Sequence, residues 1–154
     1  MPNQQIIESF LKALKNKDYV MMKEVFASNI QYFDPVYSYL KQQEVIGMWR
    51  KELSSYDEYV LTWEDIIDKG EGYFSVKCNS SFKRNRKLID QKHTLHFKIE
   101  NGFVSEHSNA FRIHELAKQE KGFSGWLLGW NRYYQNRIKL KARQELFKMM
   151  TIQG

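Results

Sequence analysis

Cysteine is almost absent from this 154-residue chain, with Cys78 the only one. No internal disulfide can form, and a reducing compartment, the cytoplasm, is the simpler expectation. Long apolar runs are absent too, so no stretch is suited to span a bilayer. Met1-Pro2-Asn3-Gln4-Gln5 leads straight into a helical pattern rather than a secretory leader. There are no internal repeats, low-complexity segments or inter-domain linkers. Tight metal-ligand spacing such as His-x-x-x-His on a helix is missing, so neither a metal nor another cofactor is expected. No nucleic-acid-binding motif is present.

Aromatic residues, by contrast, make up 15% of the chain. That favours a packed α+β domain over disorder, and the length fits one domain with a real core. The net charge of +6 is placed unevenly. From Asn131 onward Arg132, Arg137, Lys139, Lys141, Arg143 and Lys148 stand against Glu145 alone. A second cluster, Lys83-Arg84-Asn85-Arg86-Lys87, falls between two strand patterns. Basic patches can bind phosphate backbones. Here the basic loop and basic helix face read as solvated surface, which argues against a nucleic-acid partner.

Ile6, Ile7, Phe10, Leu11 and Leu14 recur at helical spacing between Asn3 and Asn16. Asp18 is placed to cap a second helix carrying Met21, Met22, Val25 and Phe26. Ile30 to Phe33 reads as a short strand ending at Asp34-Pro35, and a third helix is expected from about Lys41 to Leu53. Its buried face would be Val45, Ile46, Trp49 and Leu53.

Period-two alternation then takes over. One strand is expected over Glu58 to Ile67. A second places Phe74, Val76, Cys78, Ser80 and Phe82 on one face, and a third does the same for Ile89, Gln91, His93, Leu95, Phe97 and Ile99. Glu100-Asn101-Gly102 is a hairpin turn, and a fourth strand from Phe103 to Ile113 places Ser105, His107, Asn109 and Phe111 with Phe103. Four antiparallel strands with three helices on one concave face make a cone with an apolar mouth, a default ligand site.

Gly122 to Trp130 is too apolar and too poorly spaced for a phosphate loop. It reads as a cover over an apolar opening or as a contact surface. The final helix, about Asn131 to Met150, carries two stripes. Tyr134, Ile138, Ala142, Leu146 and Met149 would pack on the protein's own body, while Tyr133, Leu140 and Phe147 call for a partner, most simply a second copy of the chain.

The segment Phe26 to Val36 is the most informative. Asp34 lies between the aromatics Tyr32 and Phe33 and Pro35. A carboxyl in apolar surroundings ionises less readily, which suits a general base near neutral pH. Asp before Pro is also common turn chemistry. Both readings stand on the residues alone.

This order of elements, with the Asp-Pro at the end of the short strand, resembles the nuclear transport factor 2-like superfold over about Ile6 to His114. Within it the chain is similar to the SnoaL-like polyketide-cyclase and ketosteroid-isomerase branch. The resemblance implies a conical α+β half barrel of the cystatin-like kind, residues 1–114, with residues 115–154 as a C-terminal helical extension of the same domain. It implies a homodimer across the outer sheet face, and Asp34 as a base moving a proton between carbons next to a ketone. The isomerases' tyrosine donor on the first helix would fall at Phe10, which has no donor. Their protonated aspartic acid would fall at His93 or Thr94. The histidine–aspartate pair of the cyclases becomes His107-Ser108-Asn109, with an amide for the acid. Lost donors cost an enolate several kcal/mol each, which argues against the usual isomerase chemistry.

The expected pocket therefore combines Asp34 as base with His93 and His107 as proton carriers, and Tyr32 and Asn109 as hydrogen-bond donors. Trp49, Trp63, Phe10 and Phe111 form its walls. Plainer readings stand beside these: histidines bonded within the core, Asn109 satisfying a neighbour, tryptophans as packing, and Cys78 as a small apolar group. The reading is a chamber for a small apolar molecule, with acid–base chemistry by Asp34 if it is an enzyme. A ketosteroid-isomerase-like, cyclase-like or epoxide-hydrolase-like enzyme is one alternative; a non-catalytic binding module and a dimeric interaction module are the others.

Overall fold

The structure, a computed structural model, describes residues 2–41, 43–113, 115, 119 and 132–153. Helix α1 (Asn3–Lys15) buries Ile6, Ile7, Phe10, Leu11 and Leu14 along its apolar face. Asp18 accepts from the Met21 N–H at 3.1 Å and starts α2 (Tyr19–Val25). The chain turns extended at Phe26, so β1 (Phe26–Asp34) is longer than Ile30–Phe33 and Phe26 belongs to it, not to the helix. A tight turn returns the chain as β2 (Ser38–Lys41), a strand not expected from the sequence. Helix α3 (Gln43–Ser54) then buries Val45, Met48, Trp49 and Leu53.

The expected strand over Glu58 to Ile67 is interrupted. β3 (Asp57–Trp63) and β4 (Ile67–Gly70) both pair with β5 (Tyr73–Arg84), separated by a break at residues 64–66. β6 (Lys87–Glu100) pairs with β5 along its whole length. Gly102, at φ 80°, closes the turn into β7 (Phe103–Ala110), a conformation without steric cost for glycine. The sheet order is β2-β1-β7-β6-β5-β3, with β4 beside β5. All neighbours are antiparallel except β1 and β7, so the sheet is mixed.

The expected inward face of β5 is buried from Phe74 to Phe82, as are Ile89, His93, Leu95, Phe97 and Ile99 of β6. In β7 the alternation slips. A register shift opposite Lys98 and Ile99 buries both Val104 and Ser105, leaves Phe103 exposed, and the strand ends at Ala110 rather than Ile113. The result is an open α+β cone with α1 and α3 packed inside the curved sheet.

Helix α4 (Arg132–Gln153) runs back against α3. Ala142 and Leu146 are buried and Met149 packs on the core, while Leu140 and Phe147 are 60% and 73% exposed. The side chains of Tyr133 and Tyr134 of the two stripes, and the whole segment Gly122 to Trp130, lie outside what the structure describes. The Arg143 guanidinium ties α4 to β2 by donating to the backbone carbonyls of Tyr37 and Tyr39. Among the described residues, no helix is long and apolar enough to cross a membrane.

Candidate functional site

The end of β1 sets the first polar group of the site. Alternation puts Tyr32 and Asp34 on the same inward face, and Asp34 is only 3% exposed. Its Oδ1 accepts the N–H groups of Val36 (2.8 Å) and Tyr37 (2.6 Å), which closes the Asp-Pro turn. Its Oδ2 accepts the Tyr32 hydroxyl at 2.7 Å. Burial raises the Asp34 pKa, against the lowering effect of these three donors, and the neighbouring Glu52 charge adds to the rise. The turn reading and the buried-carboxyl reading thus describe one residue.

Asp34 opens on a chamber of about 940 Å³ bounded by the sheet's inner face, the C-terminal half of α3, and α4. Tyr32, Met48, Trp49, Phe82 and Phe111 supply apolar wall. The opposite wall is charged. Glu52 accepts from Tyr37 Oη (2.6 Å) and Arg84 Nη2 (3.0 Å), and Lys51 reaches Tyr37 Oη (2.9 Å) and Glu145 of α4 (3.4 Å). Burial alone would raise the Glu52 pKa. Arg84, Lys51 and the Tyr37 hydroxyl outweigh it, and Glu52 is held below the ordinary carboxylate range. Two carboxyls on one chamber, Asp34 buried and Glu52 half-buried, are therefore pushed in opposite directions.

No protein-family model matches the chain, and no curated protein matches its sequence. Solved structures do. TsrD from Streptomyces laurentii aligns with a TM-score of 0.67 at 18% identity, over 78% of this chain and 95% of its own. An LEH-like epoxide hydrolase of M. tuberculosis aligns at 0.64 and 14%, over 81% and 92%. A ketosteroid isomerase-like protein from Catenulispora acidiphila, solved in complex with trimethylamine, aligns at 0.65 and 9%, over 74% and 90%. The chain has the nuclear transport factor 2-like fold.

Within that nuclear transport factor 2-like frame, the residues singled out from sequence fall into three groups. Tyr32, Asp34, Trp49, Asn109 and Phe111 line this chamber together. His93 stands just behind it, its Nδ1 2.9 Å from Asn109 Oδ1 and its Nε2 2.7 Å from Ser80 Oγ. Burial pushes its pKa down to about 4, so the ring is neutral at pH 7, with Nδ1–H donating to Asn109 and Ser80 donating to Nε2. Trp63 lies apart, in a smaller hollow with Cys78, His93 and Phe111. Cys78 is buried, and its thiol is pushed up to about 12.

Phe10 and His107 sit deeper, in an aromatic cluster beneath the chamber. The His107 ring lies between Phe97 (centroids 4.7 Å), Phe10 (5.0 Å), Tyr32 (5.2 Å) and Trp49 (5.9 Å). Its Nδ1 is 3.1 Å from the His96 carbonyl oxygen, which can only accept, so the proton is on Nδ1. Burial holds its pKa down at about 3.

Tyr37, Lys51, Glu52, Arg84 and Tyr56, whose hydroxyl donates to Glu52 Oε2 at 3.3 Å, were not legible as site residues. Arg84 belongs to the basic cluster read as solvated surface, yet it turns inward onto Glu52. The one signal available was Tyr37, three residues past Asp34 and so carried by the same turn.

Proposed function

We propose that this protein binds a small, largely apolar molecule in the chamber and moves a proton on it with Asp34. The observation that carries the reading is a buried carboxyl, raised in pKa, on a chamber wall beside a charged partner of opposite tendency. Asp34 would take a proton from a carbon next to a carbonyl, or from water attacking an epoxide. The Tyr32 hydroxyl would steady the carboxylate and yield as the proton arrives. His93 and His107, neutral at pH 7, would position groups rather than donate protons. The ionised Glu52, fixed by Arg84 and Lys51, would keep the charged wall ordered. The solved neighbours, which include an epoxide hydrolase-like protein, a putative polyketide cyclase and a ketosteroid isomerase-like protein, support the fold on which such chemistry is built.

The test is proton exchange in D₂O on a panel of cyclic ketones, with styrene oxide hydrolysis in parallel. Acceleration by the wild type, lost by about a hundredfold or more in Asp34→Asn, is the expected result. Binding of those probes with equal rates in wild type and Asp34→Asn would leave a binding module instead. That second reading is favoured by one observation: both Asp34 oxygens already accept hydrogen bonds.

We also propose a homodimer formed across the outer sheet face, where Phe33, Tyr39, Tyr73 and Phe103 are exposed. Light scattering of Phe33→Lys tests it: a halved mass relative to wild type is expected, and a monomeric wild type rejects it.

A further inference from the structure

Trp49 Nε1 and His107 Nε2 are buried, on residues 4% and 2% exposed, and neither has a hydrogen-bond partner among the described residues. One is an obligate donor. The other is an acceptor, because the His107 proton is committed to the His96 carbonyl. Buried polar atoms of this kind are ordinarily satisfied, and leaving them bare is costly. The two rings lie 5.9 Å apart and only 27° from parallel, so their edges do not meet to bond directly. A single oxygen bearing a hydrogen would satisfy both, accepting from Trp49 and donating to His107. A carbonyl would serve only Trp49, and an ammonium only His107. The rings cannot easily reorient, since Phe10 and Tyr32 pack against both and Phe97 against His107. Trp49 lines the chamber with Tyr32 and Asp34, and His107 packs against Trp49 behind that wall.

We propose that Trp49 and His107 clamp one hydroxyl oxygen just behind the chamber wall that Trp49 forms, either the alcohol or enol oxygen of a ligand or a water molecule. The clamp does not depend on Asp34 acting as a base, and its test reads no turnover. Nitrogen-15 NMR of the full chain follows the Trp49 indole N–H, assigned by its loss in Trp49→Phe, during titration with phenol and with toluene. A cross-peak to bound water in the free protein that phenol removes assigns the clamp to a ligand hydroxyl. A water cross-peak that phenol leaves intact assigns it to water. In the first case His107→Gln weakens phenol about tenfold and leaves toluene unchanged. No water cross-peak, together with no shift specific to phenol, overturns the proposal without touching the ketone-exchange result.

Discussion

Tyr32 gives its hydroxyl proton to Asp34 Oδ2 across 2.7 Å, from two residues earlier on the same strand face. This short link adds a third donor to a carboxyl that also closes the turn. The backbone N–H groups of the turn hold Oδ1, so the turn contacts and the Tyr32 contact fall on different oxygens. Substitutions can therefore separate them.

Asp34→Asn keeps an oxygen for the Val36 and Tyr37 N–H groups and removes the ionisable group. We expect unfolding free energy to stay within about 1 kcal/mol of wild type. Asp34→Ala strands three buried donors and should cost about 3 kcal/mol. Urea unfolding of the two variants checks the contrast. Equal losses would mean that the turn does not depend on Oδ1.

Much of this arrangement was legible in the sequence, and the remainder has physical causes. The faces of β5 and β6 were readable because the strands pair without a break from Tyr73↔Lys98 to Arg84↔Lys87. A period of two survives only where the ladder is continuous. In β7 the shift near Ser105 exchanges faces, and alternation carries no trace of it. Asp34 stood out because its neighbours in sequence are also its neighbours in space. Glu52 and Arg84 did not, since their contact spans 32 residues and exists only once α3 lies against the end of β5. A charged side chain looks the same in sequence whether it meets water or a buried partner.

Glu52 carries the largest charge network in the chamber wall. Glu52→Gln keeps the side-chain shape but leaves Arg84 and Lys51 facing a neutral amide. A loss of about 2 kcal/mol is expected, below the cost of breaking a fully buried pair because Glu52 retains 21% exposure. Thermal unfolding in low and high salt measures it. A stability unchanged by the substitution would show the wall charges to be screened by solvent.

The two buried histidines set the acid limit of the fold. Their folded pKa values, about 4 for His93 and about 3 for His107, lie below the ordinary 6.5. Between those values the unfolded chain binds more protons than the folded one. The stabilisation is full above pH 6.5 and drains as pH falls, by at most about 1.4 kcal/mol per pH unit for each ring. Glu52, lowered in the fold, adds a further loss below its ordinary range, whereas Asp34, raised, works in the opposite sense. Urea unfolding at pH 7, 5.5 and 4.5 should show the decline, and His93→Gln should remove about half of it between pH 6 and 4.5. A slope untouched by that change would place the titration elsewhere.

The last relationship concerns how α4 reaches the chamber. Gly47 on α3 has no side chain, and a Cβ there would lie 3.1 Å from Met150 Cγ and 3.4 Å from Leu146 Cδ1. That close approach lets Ala142 and Leu146 bury against α3 while Glu145 meets Lys51 at the chamber rim. Gly47→Ala needs only a small movement of the flexible Met150 and gains helix propensity, so its stability should stay within about 1 kcal/mol. Gly47→Leu cannot be accommodated without lifting α4. It should speed tryptic cleavage at Arg137, Lys141 and Lys148 about tenfold while far-ultraviolet circular dichroism remains near wild type. Unchanged cleavage would mean that α4 is held by Arg143 and β2 alone, and Arg143→Ala in the Gly47→Leu background should then release it.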